Sequence, residues 1–206
     1  MLLDRGPTWQ EAVLLLSIPH VYYLVLWFFP RVWTRFSRKV GMDPSQLMCY
    51  VAMLLKVEQF AVYFWFYSMH LPYDHMRERS YGAAVKEVWY LGGWRRAAVA
   101  MAMIVFGQAL NAGAIRALGV NGIYYGFRFG KIIPWCTKWP YGGRLRLPHP
   151  QYVGAILSII GVTLLTATHE HVRAGMRTIM FAWCGFYLVN GFTEEVLHRI
   201  QSSKKM

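Results

Sequence analysis

Five apolar runs decide what this chain can fold into. Residues 12–29, 47–71, 97–120 and 152–168 are each about long enough to cross a hydrocarbon core roughly 30 Å thick, and residues 176–192 are marginal by the same measure. Inside a bilayer no water pairs with exposed backbone groups, so such segments become helices that satisfy them internally. The expectation is an all-α integral membrane protein with four to five transmembrane helices. Composition agrees: 56% of the residues are hydrophobic and only 16% are charged, well off the soluble average. Residues 1–206 form a single integral domain, because no stretch outside the runs is long enough for a separate soluble catalytic domain.

The first run follows a weakly basic start, and no small-residue cleavage site comes after it, so we expect it to stay as a helix and not to be removed as a signal. Cys49, Cys136 and Cys184 are odd in number, far apart and not in a CxxC pattern, the usage of a reduced protein without disulfides. The net charge of +12 is dispersed through the links between runs. Without a groove-binding stripe it points away from nucleic acid and toward anionic phospholipid. In a five-helix arrangement, the links carrying Arg31, Arg35, Arg38, Lys39, Arg128, Lys131 and Lys138 fall on the more basic side. The positive-inside rule places that side, and the C-terminus with it, in the cytosol.

Asp43-Pro44-Ser45 reads as the start signal of the second helix. The link 72–96 is polar enough to lie at the surface, and residues 83–91 within it suit a short interfacial helix. Lys56 and Glu58 fall inside the second run, where an ionisable residue faces the bundle interior, snorkels or pairs; a structural pair and a functional contact are both open. Gly107, Gln108, Asn111 and Gly113 give the third run small and amide side chains suited to close helix packing.

The stretch "GIYYGFRFGKIIPWCTKWPYGGRLRLPHPQYVGA", residues 122–155, gathers glycines, cations, aromatics and a His-Pro pair between two apolar runs. Gly122, Gly126 and Gly130 recur every fourth residue, a spacing that puts them on one helical face and lets a backbone or ligand come close. With no preceding strand and no GxGxxG spacing, they do not make a nucleotide fingerprint. Lys131, Trp135, Lys138, Trp139, Arg144 and Arg146 mix cations with interfacial aromatics, as a membrane-interface belt does and as recognition of a lipid phosphate does. "PHPQYVG" (148–154) enters the fourth helix and "TEEVLHRI" (193–200) leaves the last, so both come to the same membrane face. Glu194 and Glu195 then sit at a helix C-terminus, where the macrodipole disfavours acids, and need another reason to be there. "HEH" at 169–171 lacks HExxH spacing and reads as a polar turn; no metal site is expected.

The run "GQALNAGAIRALGVNGIYYGFRFGKIIPWCTKWPYG" followed by "PHPQYVGA" resembles the phospholipid methyltransferases, in particular their plant-type branch acting on N-methylated phosphatidylethanolamine. "HPQYVG" with the later "EEVL" is also similar to the His-Pro-x-Tyr-x-Gly and Glu-Glu elements of the wider family that includes isoprenylcysteine carboxyl methyltransferases. The likeness covers residues 101–200 and, more loosely, "LLKVEQF". It implies S-adenosylmethionine as cofactor, held in a pocket at the cytosolic face, and methyl transfer to phosphatidyl-N-methylethanolamine and its dimethyl product to give phosphatidylcholine. By the same resemblance, His149, Tyr152, Gly154, Glu194 and Glu195 form the cofactor pocket, with a glutamate holding the cofactor's hydroxyl or amino groups. Gly107 keeps the second glycine of the family's Gly-x-Gly element and is carried over as a cofactor contact, while Gly122 and Gly126 permit close approach. Arg128, Lys131 and Arg144 are assigned to the lipid phosphate. The implied location is the endoplasmic reticulum membrane, with a mitochondrial membrane as the alternative.

Transfer from an activated sulfonium depends on alignment more than on covalent help from the protein. The attacking amine must first lose its proton, to Glu195, to His149 or to water, and the sequence does not choose among them. Two other readings compete: a carboxyl methyltransferase of prenylated cysteine, and a noncatalytic membrane subunit that keeps the fold without binding the cofactor.

Overall fold

The computed structural model describes residues 6–73, 78–133, 136–142, 147 and 149–203, with side chains described as far as residue 196. Seven α-helices follow in order: α1 (Trp9–Phe28), α2 (Pro30–Val40), α3 (Pro44–Met69), α4 (Tyr81–Ile123), α5 (Pro150–Thr166), α6 (His169–Arg173) and α7 (Met176–Ser203), with a 3-10 turn at Gly126–Phe129 between α4 and α5. No strand occurs among the described residues, only an isolated bridge from Tyr73 to Arg79. The five apolar runs correspond to α1, α3, the middle of α4, α5 and the first part of α7. By length and composition α1, α3 and α4 are able to cross a membrane, and α5 is a shorter apolar helix. The protein is an all-α multi-pass membrane protein.

Local chemistry sets the helix ends. Thr8 caps α1, accepting from the Glu11 amide at 3.3 Å while the Glu11 carboxylate accepts from the Thr8 amide at 2.7 Å, a reciprocal capping box. Asp43 starts α3 as its sequence foretold, accepting from the amides of Ser45 and Gln46 at 3.0 and 3.2 Å. Helix α4 breaks twice, at Gly93 (φ 49°) and Gly119 (φ 64°), conformations that favour glycine. The portion before Gly93 makes residues 83–91 helical, and residues 94–118 make the long apolar portion. Arg96 at its start donates to the carbonyls of Leu164 and Ala167 at 2.5 Å each, satisfying the end of α5.

Helix α4 packs chiefly on α5 and only sparsely on α3, while α1 lies against α3 and α7, and α5 also meets α7. At Gly107 a side chain would meet the Gly154 carbonyl oxygen at 2.5 Å, and at Gly161 the Ala100 carbonyl at 2.7 Å, so glycine is what lets α4 and α5 lie backbone to backbone. The core joins α1, α3, α5 and α7 through Leu16, Phe66, Ile159, Met176, Ile179 and Trp183. Leu14, Leu54, Phe181 and Phe192 point outward and are exposed, as apolar side chains solvated by lipid would be. Helix α2 carries Arg31, Arg35, Arg38 and Lys39 on one side and Val32, Phe36 and Val40 on the other, the pattern of a helix lying in the interface.

Two sequence expectations fail here for local reasons. Gly122, Gly126 and Gly130 do not share a helical face: α4 ends at Ile123, Gly126 begins the 3-10 turn, and Gly130 is left-handed (φ 85°). Glu194 and Glu195 are not at a helix end, because α7 continues to Ser203. The macrodipole argument therefore does not explain them.

Candidate active site

At one end of the bundle, the turn after α4 and the helices α5 and α7 bring their polar side chains together. Tyr125 stands in a left-handed conformation (φ 55°) between the end of α4 and the 3-10 turn. Its buried ring is fixed edge-on to Trp27, with centroids 5.1 Å apart. Tyr152 lies in the first turn of α5, and His149 is that helix's N-cap residue but makes no side-chain cap bond. From α7, Glu194 accepts hydrogen bonds on Oε1 from the hydroxyls of both Tyr125 and Tyr152. The imidazole of His149 stacks on the Tyr152 ring at 5.6 Å and stands between two carboxylates, with Nδ1 3.9 Å from Glu194 Oε2 and Nε2 3.8 Å from Glu195 Oε2. A side chain at Gly191 would press on Tyr152 at 3.0 Å and lie 3.8 Å from His149, so that glycine leaves the cluster its room.

The electrostatics follow from burial. Glu194 lies just past Phe192, the end of α7's apolar run; burial pushes its carboxyl up to about 7, against the opposing pull of the two tyrosine hydroxyls. Burial lowers His149 below the ordinary imidazole range, opposed by the Glu195 carboxylate. Near neutral pH the imidazole is therefore neutral, and its buried Nε2 has no hydrogen-bond partner among the described residues. The cluster offers a carboxylate held by two hydroxyls, a second carboxylate and a neutral base beside it.

Tyr125 and Tyr152 also form the end wall of a cavity of about 600 Å³ that runs down between α3, α4, α5 and α7. Its lining is largely apolar, with Lys56, Gln59, Gln108, Asn111 and Ser158 as polar points. A space of this size, apolar with a few placed polar groups, suits a small-molecule or lipid ligand.

Of the residues singled out in the sequence, His149, Tyr152, Glu194 and Glu195 meet in this cluster. Gly154 lies further along α5, facing Gly107 and Asn111, so Gly107 and Gly154 serve helix contact in this fold. Gly122 faces only its own Leu118, and Gly126 abuts the Asn121 carbonyl at 2.5 Å. Arg128 donates to the Trp27 carbonyl at 2.5 Å and lies over the Trp27 ring, tying the turn to the end of α1. Lys131 pairs with Asp43 at 2.6 Å and donates to Asn121 at 2.6 Å. Partial burial pushes the Asp43 carboxyl up, but bonds from Lys131 and from the Gln46 and Ser45 amides outweigh it and hold the group below its ordinary value. Both cations thus have protein partners, and Arg144 lies outside the described residues, as do Trp135 and Arg146. Tyr125 went unnoticed in the sequence; its one signal was a bulky residue lying between Gly122 and Gly126 in "GIYYG".

Comparison with known proteins gives the chain a family. The model of the family described as phospholipid methyltransferase matches residues 95–200, which include Tyr125, His149, Tyr152, Glu194 and Glu195. The chain belongs to the phospholipid methyltransferase family. Among its relatives is the phosphatidyl-N-methylethanolamine N-methyltransferase of Arabidopsis thaliana, 32% identical over 143 residues, covering 69% of this chain and 71% of that one. No solved structure matches it.

Proposed function

We propose that the protein N-methylates phosphatidyl-N-methylethanolamine and then its dimethyl product, with S-adenosylmethionine as donor, giving phosphatidylcholine. The observation that carries this reading is the Glu194 cluster at the end of a lipid-sized cavity, within the stretch that matches the family. Family and relative support the reaction class, and the arrangement of helices supports a substrate reached from within the membrane. We place the protein in the endoplasmic reticulum membrane with the Glu194 end in the cytosol, the side that carries the basic helix α2.

The residues of the cluster fit such a cofactor. A buried imidazole nitrogen with no hydrogen bond among the described residues, two carboxylates and two tyrosines supply acceptors for hydroxyl and amino groups and negative charge for a cation. When bound, S-adenosylmethionine supplies an activated methyl group. Glu194 and Glu195 hold and orient; Tyr125 and Tyr152 fix Glu194 in place. His149, neutral and without a hydrogen bond at Nε2 among the described residues, is the best placed to take the proton that the amine must lose. Gly107 and Gly154 permit close approach of α4 and α5, and Gly126 permits that of the turn to the Asn121 carbonyl.

The test is transfer of labelled methyl from S-adenosylmethionine to monomethylated phosphatidylethanolamine by the full-length protein in lipid nanodiscs. Label in phosphatidylcholine that is lost in Glu195→Ala is the expected result. A folded sample that neither transfers label nor binds the cofactor would overturn the proposal in favour of a noncatalytic subunit. Label appearing only in prenylcysteine esters would move the substrate class.

A further inference from the structure

Lys56 lies in the middle of α3, twelve residues from Pro44 and so roughly 18 Å along the helix. A lysine at that depth is costly unless it reaches water or a partner. Lys56 does not run along its own helix toward an interface: its Nζ donates to the hydroxyl of Tyr187 on α7 and to Gln59 Oε1 at 3.1 Å, and lies 4.9 Å from the centre of the Tyr187 ring. No carboxylate among the described residues lies within ion-pairing distance of it. An ammonium has three donors, and the described residues take two. The residue lines the 600 Å³ cavity. Asn111 lines the same cavity, and its side chain makes no hydrogen bond among the described residues. Gln108 and Ser158, bonded to each other at 2.8 Å, complete a band of polar groups around the cavity's waist.

We infer that Lys56, together with Asn111 of the same cavity, is the phosphate subsite for the phospholipid substrate. The inference rests on the phospholipid reading of the active site and deepens it. An uncompensated cation in an apolar chamber is completed by an anion, and a phosphodiester supplies one together with acceptor oxygens. Tyr187, which Lys56 touches, packs against Tyr152 at 5.9 Å, and Tyr152 bonds Glu194, so two neighbouring rings separate the phosphate point from the cluster where the amine reacts. The acyl chains have a way out: α3 and α4 barely touch, and the cavity-lining Phe60 and Ile115 on their facing sides are 58% and 50% exposed. This subsite also explains why phosphate recognition does not need Arg128 and Lys131, both bound to the protein itself.

The experiment measures retention of lipid by delipidated full-length protein in detergent, read by native mass spectrometry, so that it needs no turnover. The probes are phosphatidyl-N-methylethanolamine and a diacylglycerol with the same acyl chains but no phosphate. Wild type is expected to hold the phospholipid at least about tenfold better than the diacylglycerol, the effect of one or two charge-assisted hydrogen bonds. Lys56→Met loses that preference and Lys56→Arg keeps it within about threefold, since guanidinium also binds phosphate. No preference in the wild type overturns the subsite whatever the variants do, even if Lys56→Met proves unstable. Equal loss of both lipids in Lys56→Met also overturns it, because that is collapse of the α3–α7 contact. Failure of methyl transfer with phosphate preference intact overturns the enzyme reading and leaves the subsite standing.

Discussion

Two histidines at opposite ends of the bundle were equally visible in the sequence, and the structure treats them in opposite ways. His171, in α6, is fully engaged: Nδ1 meets the Thr168 hydroxyl at 2.7 Å, Nε2 meets the Tyr67 carbonyl at 3.0 Å, and its ring stacks on Tyr67. Among the described residues His149 caps nothing, leaves Nε2 without a hydrogen bond, and stands 3.8 to 3.9 Å from two carboxylates. A histidine whose bonds are closed by the fold holds the fold together; one left open among acids is available to a ligand. The "HEH" and "PHP" strings do not differ in that respect until their surroundings are known.

The largest expected effect sharpens this contrast. Glu194→Ala removes the acceptor for two buried tyrosine hydroxyls as well as the proposed cofactor contact, and methyl transfer should fall at least about a hundredfold. His171→Ala should leave transfer per folded molecule nearly unchanged while lowering unfolding stability by about 2 kcal/mol, because it strands buried partners. A thermal melt beside the transfer assay reads both. Next comes His149→Ala, expected to cost about a hundredfold in kcat if the imidazole takes the amine proton; an unchanged kcat would assign that step to Glu195 or water.

Acidity gives a third test. Glu194, pushed up to about 7, keeps its proton in the folded state where the unfolded carboxylate has lost it. Its contribution to stability is complete below the ordinary carboxylate pKa and is lost as pH rises through about 7. Glu194→Gln should therefore be more stable than wild type by on the order of 2 kcal/mol at pH 8 and show little difference at pH 4.5. Cofactor binding that needs the anion should strengthen in wild type as pH rises through about 7, and this rise should vanish in the variant. Smaller again is Gly107→Ala, which forces a methyl into the Gly154 carbonyl. It should destabilise by about 1–3 kcal/mol through overpacking, with cofactor affinity unchanged if the glycine serves packing alone. Smallest is Asp43→Ala, about 1 kcal/mol for a lost N-cap, and lipid retention should not follow it.

Local features were legible. The five apolar runs gave the helices that α1, α3, α4, α5 and α7 realise, and Asp43-Pro44-Ser45 marked a helix start, because backbone pairing and capping depend on neighbours in sequence. His149, Tyr152, Glu194 and Glu195 were marked by resemblance, and the fold brings them together. What depends on chain reversal was not legible. The four-residue glycine spacing implied a helix that Gly119 and Tyr125 break, and Lys56 meets Tyr187 across 131 positions. Arg128 and Lys131 read as free cations because their partners, the Trp27 carbonyl and Asp43, lie on other helices or at their ends.

The claim that the open end of the bundle, and not the closed one, holds the methyl donor is tested most directly by equilibrium binding of S-adenosylmethionine to the full-length protein in nanodiscs. Wild type, Glu194→Ala and His171→Ala would be compared at pH 8. Binding weakened at least about tenfold in Glu194→Ala and preserved in folded His171→Ala is the predicted result. Equal affinity in all three would contradict the assignment of the Glu194 cluster as the cofactor site.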